Sequence, residues 1–198
     1  MAPAKGNIPA STGYLVADPR KCSGCIACML ACSLAHEGVC SPSLSRIQIV
    51  QSSFVPFPQD IDIHLCRQCV NPSCIGACQT GALQVETSQG NVRTIDQTRC
   101  DGCRQCLEAC PHKPARIVWH LSRQVAAKCD LCLHAPYQVE QGGVEGKQAC
   151  VEACPMQALA ITGKIPQQRG DTGYRVNLRN EHWQWLGFFP EETPEDKA

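Results

Sequence analysis

Seventeen cysteines in 198 residues are the groups in this sequence that could carry chemistry. Sixteen of them fall into four sets of four. The first set is Cys22, Cys25, Cys28 and Cys32, separated by two, two and three residues. The second is Cys66, Cys69, Cys74 and Cys78, with gaps of two, four and three. The third, Cys100, Cys103, Cys106 and Cys110, repeats the first spacing and is followed by Pro111. The fourth has Cys129 and Cys132, then seventeen intervening residues, then Cys150 and Cys154 with Pro155 behind them. Cys40 stands alone and reads as a free buried thiol.

The spacing points to cubane iron–sulfur clusters. Three thiolates on a tightly curled loop can converge on three iron corners, while the loop's N–H groups face the sulfurs and help set the potential. The fourth cysteine, three residues on, belongs to a short helix leading away, which the trailing proline ends. Zinc sites built on two separated CxxC pairs are the competing reading; runs whose third cysteine follows so closely do not suit them. Disulfides fit less well: the cysteine count is odd, the spacing is regular, and the first thirteen residues show no apolar export signal. A cytoplasmic protein carrying four [4Fe–4S] clusters is the expectation.

Composition agrees with a fold organised by metal. Only ten residues are aromatic, three Trp, three Tyr and four Phe. A hydrocarbon core alone is thus a thin source of order. Lys plus Arg balances Asp plus Glu at eighteen each, which leaves no basic footprint for nucleic acid. No apolar run approaches the roughly 18 residues of a transmembrane helix. Four oxidised clusters with their thiolates would add a charge of roughly −8. Arg20, Lys21, Arg67, Arg99, Arg104, Lys113 and Lys128 flank the cysteines and serve either as compensating charge or as ordinary surface.

Short alternating segments between the sets read as half-buried strands: 14–18, 46–50, 61–65, 83–86, 92–95, 117–120, 124–127 and 159–162. Ser88-Gln89-Gly90-Asn91 is a hairpin turn, and Leu121-Ser122-Arg123 marks a second. Short helices are expected over 29–37, 75–78, 107–110 and 151–154. Strand, cluster loop, helix and strand thus recur four times. Two repeats make one two-cluster unit, but spacing leaves open which repeats pair. The stretch 136–147, with Gly142, Gly143 and Gly146, reads as a surface loop.

Over 14–163 these motifs resemble the four-cluster iron–sulfur subunits of complex metalloenzymes. The resemblance implies an α+β fold of two bacterial-ferredoxin-like dicluster units, one inserted in the other, with short strands and helices and long loops. Residues 14–55 and 116–165 would form the outer unit and 56–115 the inserted one. It implies four ligand sets: Cys22, Cys25, Cys28 and Cys154; Cys129, Cys132, Cys150 and Cys32; Cys66, Cys69, Cys74 and Cys110; Cys100, Cys103, Cys106 and Cys78. Gln79 and Ser33 depart from the proline common after such cysteines, which bears on loop geometry and not on ligation.

Residues 1–13 read as a flexible or docking arm, and 166–198 as a tail in which Trp183, Trp185, Phe188 and Phe189 could anchor a partner or strap the chain's own core. No histidine pair or glycine-rich fingerprint suggests catalysis. His112 and His134 lie near ligands, where they fill space or tune a cluster. The resemblance is nearest the electron-transfer subunit of tungsten-containing aldehyde oxidoreductases and the small subunit of tungsten benzoyl-CoA reductase. It implies a non-catalytic subunit between a tungsten (or molybdenum) pterin catalytic subunit and an FAD-containing, NAD-reducing subunit, or in contact with further copies of itself. The alternatives are the corresponding subunit of a hydrogenase, carbon monoxide dehydrogenase or formate dehydrogenase, and a free or filament-forming polyferredoxin.

Overall fold

The computed structural model describes residues 8–56 and 59–165. The aromatic tail and the first seven residues lie outside them. Among the described residues the fold is a small α+β arrangement of eight strands and four short α-helices. Strands pair only two by two, all antiparallel: β1 (Tyr14–Ala17) with β8 (Leu159–Thr162), β2 (Gln48–Gln51) with β3 (Ile61–His64), β4 (Leu83–Glu86) with β5 (Val92–Ile95), and β6 (Val118–His120) with β7 (Val125–Ala127). The first described strand therefore pairs with the last, in the register Tyr14 to Thr162.

Helix α1 (Ala27–Glu37) packs on α4 (Ala149–Glu152), and α2 (Ser73–Ala77) packs on α3 (Gln105–Glu108). Strand β3 shows the expected alternation, burying Ile61 and Ile63 and exposing Asp62, while β1 is buried along its whole length. The largest core joins Tyr14, Leu15, Ile47, Ile61, Ile63 and Leu131 to the sulfurs of Cys28, Cys32 and Cys150. A smaller one joins Leu83, Ile117 and Ala126 to Cys106. Each fully buried Leu or Ile is worth about 1.5–3 kcal/mol, so the few present matter. Cysteines occupy positions that hydrocarbon would fill elsewhere.

Each helix begins two residues before its expected start. In α1 and α3 the reason is local: Ile26 and Arg104, with φ of 56° and 60°, are left-handed and turn the chain so that the next residue starts the helix. The third cysteine then lies in the first turn, and Cys78, Cys110 and Cys154 fall beyond their helices. Only Cys32 is inside one.

Three further expectations change. Cys40 is exposed, not buried. Helix α1 stops at Gly38, whose φ of 72° and N–H bond to the Leu34 carbonyl (2.9 Å) close the helix and send the chain outward. The 136–147 loop is not simply superficial: Gly142 and Gly143 are buried, and a Cβ at Gly142 would stand 2.0 Å from the Cys132 carbonyl oxygen. Residues 8–13 lie along the β4–β5 turn, where Thr12 donates to the Gly90 carbonyl (2.9 Å) and Pro9 and Ala10 accept from Arg93 and Asn91.

Candidate functional site

Glycine and left-handed residues shape the cysteine loops. Gly24 and Gly102 precede Cys25 and Cys103 at φ of 71° and 77°, and Ile26 and Arg104 follow them. Gln68 (φ 46°) and Leu131 (φ 57°) take the place of that glycine, immediately before Cys69 and Cys132. Successive turns of this kind aim backbone N–H groups into a concavity that suits negative charge. At Gly102 the requirement is also steric, since a Cβ would sit 2.7 Å from the Gln124 carbonyl oxygen.

The structure brings two of the expected sets of four together, each with three sulfurs from one run and the fourth from another. Cys22, Cys25, Cys28 and Cys154 line an apolar recess with Ile49 and Ile63. Cys66, Cys69, Cys74 and Cys110 line another with His112, Arg116 and Lys128. Cys74, Cys100, Cys78 and Cys103 all stand near the Cys106 thiol, and Cys32, Cys129, Cys132 and Cys28 near that of Cys150. All sixteen are free thiols. Among the described residues no three His, Cys, Asp or Glu side chains converge tightly enough for a single metal ion.

The electrostatics of these recesses call for positive charge. Burial, then the nearness of Cys22, Cys154 and Cys25, pushes the Cys28 thiol up to about 12. Burial, then Cys66, Cys74 and Cys110, does the same to Cys69. Thiols so placed resist becoming thiolates together unless cations stand among them. Four thiol donors around a walled space, with N–H groups turned inward, fit a cubane whose irons supply that charge.

The fourth sulfur of every run shares one feature. Each accepts a backbone N–H from the chain as it re-enters extended structure: Cys32 from Arg46 (3.4 Å), Cys78 from Leu83 (3.4 Å), Cys110 from Arg116 (3.4 Å) and Cys154 from Ala158 (3.3 Å). At Cys78 burial acts against ionisation. The Leu83 N–H and the Thr80 hydroxyl outweigh it and hold the thiol below its ordinary range.

Two buried polar networks were not visible as such in the sequence. In the first, Asp130 accepts from His36 Nε2 (3.0 Å), Arg46 (3.0 Å) and the N–H of Cys132 (3.1 Å). His36 Nδ1 points at the Cys32 carbonyl (2.9 Å). Both acceptors are oxygens, so both ring nitrogens donate and the imidazole is a cation. Burial opposes that charge, but the bonds to Asp130 and Cys32 prevail and raise His36 to about 9. The second network joins Gln68, Arg93 and Lys128. Of the other flanking cations, Lys21, Arg99, Arg104 and Lys113 are exposed; Arg104 lies over the Trp119 ring at 4.3 Å. His112 Nε2 stands 3.6 Å from Cys69 Sγ, whereas the His134 side chain is on the surface.

Residues 59–164, which hold the second, third and fourth cysteine runs, match the 4Fe-4S dicluster domain family. The chain belongs to that family. Among its relatives is the polyferredoxin-like subunit of an aliphatic sulfonate oxidoreductase from Pyrococcus furiosus, 39% identical over 127 residues, covering 64% of this chain and 69% of that one. The beta subunit of an NADH-dependent phenylglyoxylate dehydrogenase from Aromatoleum evansii is 37% identical over 115 residues, 58% of this chain but 25% of its own. The active site complex BamBC of benzoyl coenzyme A reductase with benzoyl-CoA aligns at 22% identity and a TM-score of 0.40, covering 76% and 78% of the two chains. At that distance the last likeness decides nothing about partner or substrate. Among the described residues of this dicluster protein, no helix is long and apolar enough to cross a membrane.

Proposed function

We propose that this dicluster-family chain holds four [4Fe–4S] clusters in a row and passes single electrons between two partner subunits, performing no substrate chemistry itself. The observation that carries the reading is how the four thiol gatherings adjoin. Cys106 feels Cys74 of the next gathering, Cys129 feels Cys66, and Cys150 feels Cys28. These influences support a linear order of the gatherings, from Cys78, Cys100, Cys103 and Cys106 to Cys66, Cys69, Cys74 and Cys110. The line continues through Cys32, Cys129, Cys132 and Cys150 and ends at Cys22, Cys25, Cys28 and Cys154. Cys103 and Cys25, in the two end gatherings, are exposed, while no cysteine of the inner two is. Electrons would enter near one end and leave near the other.

The clusters, when bound, accept and release one electron each. The protein's residues hold them, exclude water from the inner pair, and tune them through N–H donors and charge. The pairing of β1 with β8 and the packing of α1 on α4 and α2 on α3 support a reading as two ferredoxin-like units, 56–115 inserted within 14–55 and 116–165. The partners proposed are a catalytic tungstopterin subunit of the aldehyde oxidoreductase kind and an FAD-containing subunit that reduces NAD, in the cytoplasm. The resemblance of the cysteine pattern and the relationship to a subunit of another oxidoreductase support this.

Anaerobic purification through a tag on this chain, with elemental analysis of what elutes, tests both levels. About sixteen irons per chain beyond those of partners are expected, with tungsten co-eluting and aldehyde-dependent reduction in the eluate. Zinc in place of iron refutes the clusters. Iron with nickel or molybdenum in place of tungsten keeps the electron-transfer role and refutes the catalyst named.

A further inference from the structure

Lys128 occupies a place that fold stability alone does not explain. It follows β7 and immediately precedes Cys129, and it is 2% exposed. A buried ammonium is costly unless opposite charge and hydrogen bonds answer it. Its Nζ donates to the carbonyls of Arg93 and Cys129. On one side it lines the recess of Cys66, Cys69, Cys74 and Cys110, and on the other it holds the backbone carbonyl of Cys129, a member of the neighbouring set. Lys128 therefore stands between the two inner gatherings, on the one link of the row that joins the second cysteine run to the fourth.

The surroundings hold it there. Gln68, fully buried, donates from Nε2 to the Cys129 carbonyl (2.9 Å) and accepts the Arg93 N–H (2.7 Å). Arg93, 1% exposed, donates from Nε to the Cys69 carbonyl (3.1 Å). Carbonyls facing both gatherings are thus tied to the same few side chains. The lysine is buried where Lys113 is exposed.

We propose that Lys128 is a fixed countercharge shared by the two inner clusters, raising the potential of both so that an electron crosses between them at small electrostatic cost. This rests on the cluster reading above. An oxidised cubane with four thiolates carries about −2, and an added electron makes it about −3 beside a neighbour at −2. In a dry interior that repulsion is strong. A cation lying between the two sets offsets it whichever cluster holds the electron. The exposed cations near other cysteines are screened by solvent and offset far less.

The test uses the whole chain, purified anaerobically with its partners, as wild type, K128M, K128R and the exposed control K113M. Iron and sulfide are counted, and the centres are titrated potentiometrically with dithionite as reductant and followed by EPR. K128M should lower the reduction constants of two centres at least tenfold, about 59 mV for a one-electron couple, with the other two unmoved. K128R and K113M should stay near wild type. Fully loaded K128M with unchanged potentials overturns the inference, as does K128R displaced as far as K128M. Should K128M fail to hold iron, K128R loaded to the wild-type level sustains the need for charge, and K128R equally empty overturns it. Absence of clusters from the wild type would instead refute the reading on which this one rests.

Discussion

Replacing Asp130 by Asn should destabilise the protein more than any surface ion-pair change, because it removes the anion from a closed, buried set of donors. The side chains of His36 and Asp130 are 2% and 4% exposed, and that of Arg46 is 11% exposed. Oδ1 accepts from His36 Nε2 (3.0 Å) and the Cys132 N–H (3.1 Å), and Oδ2 from Arg46 (3.0 Å) and the His134 N–H (3.3 Å). Both oxygens therefore face only donors. Whichever way an Asn amide turns, its NH2 meets N–H groups, and two buried cations lose their counter-ion. Breaking such a set by removing one partner costs about 3–5 kcal/mol. With a guanidinium slope of about 4 kcal/mol per molar, the midpoint should fall by about 1 M. The assay is anaerobic unfolding followed by cluster absorbance and far-UV circular dichroism. K147M, which breaks only the exposed contacts to Glu140 and Glu152, should unfold with the wild type. The reasoning fails if D130N unfolds at the wild-type midpoint, or if K147M falls as far.

G102A places a methyl 2.7 Å from the Gln124 carbonyl at a φ of 77°, so it should lose about a quarter of the iron by elemental analysis. G76A, where a Cβ meets nothing within 4 Å, should keep it all. C40S should leave iron content and EPR spectra unchanged, since Cys40 is exposed and joins no gathering, whereas C103S should alter one centre and spare three. Stripping iron with a chelator should collapse far-UV ellipticity, because Cys28 and Cys150 form part of the main core and their burial opposes bare thiolates; native ellipticity in the stripped protein would refute that.

Much of the architecture was legible because the reasons for it are short-range. Alternation marked Ile61 and Ile63 as buried and Asp62 as exposed, and Gly90-Asn91 marked a hairpin, since both effects act within a few residues. The early starts of α1 and α3 are not legible in the sequence, because a left-handed Ile26 or Arg104 is a property of the closed loop, not of a residue type that favours it. Cys40 was misjudged for a related reason: an apolar thiol is usually buried, but the chain direction after Gly38 is set by the cap and by Tyr137 packed over it.

The sequence by itself determined the donor type, the number of candidate ligands and the curl of each loop, because a gap of two or three residues constrains how far apart consecutive sulfurs can stand. It could not determine which distant cysteine completes each set, since Cys28 and Cys154 meet only through the packing of α1 on α4 and β1 on β8. Nor could it separate Lys128 from the other cations beside cysteines, for all look alike along the chain. Only the tertiary structure, by burying Lys128 while Lys21, Arg99, Arg104 and Lys113 stay exposed, set one of them apart.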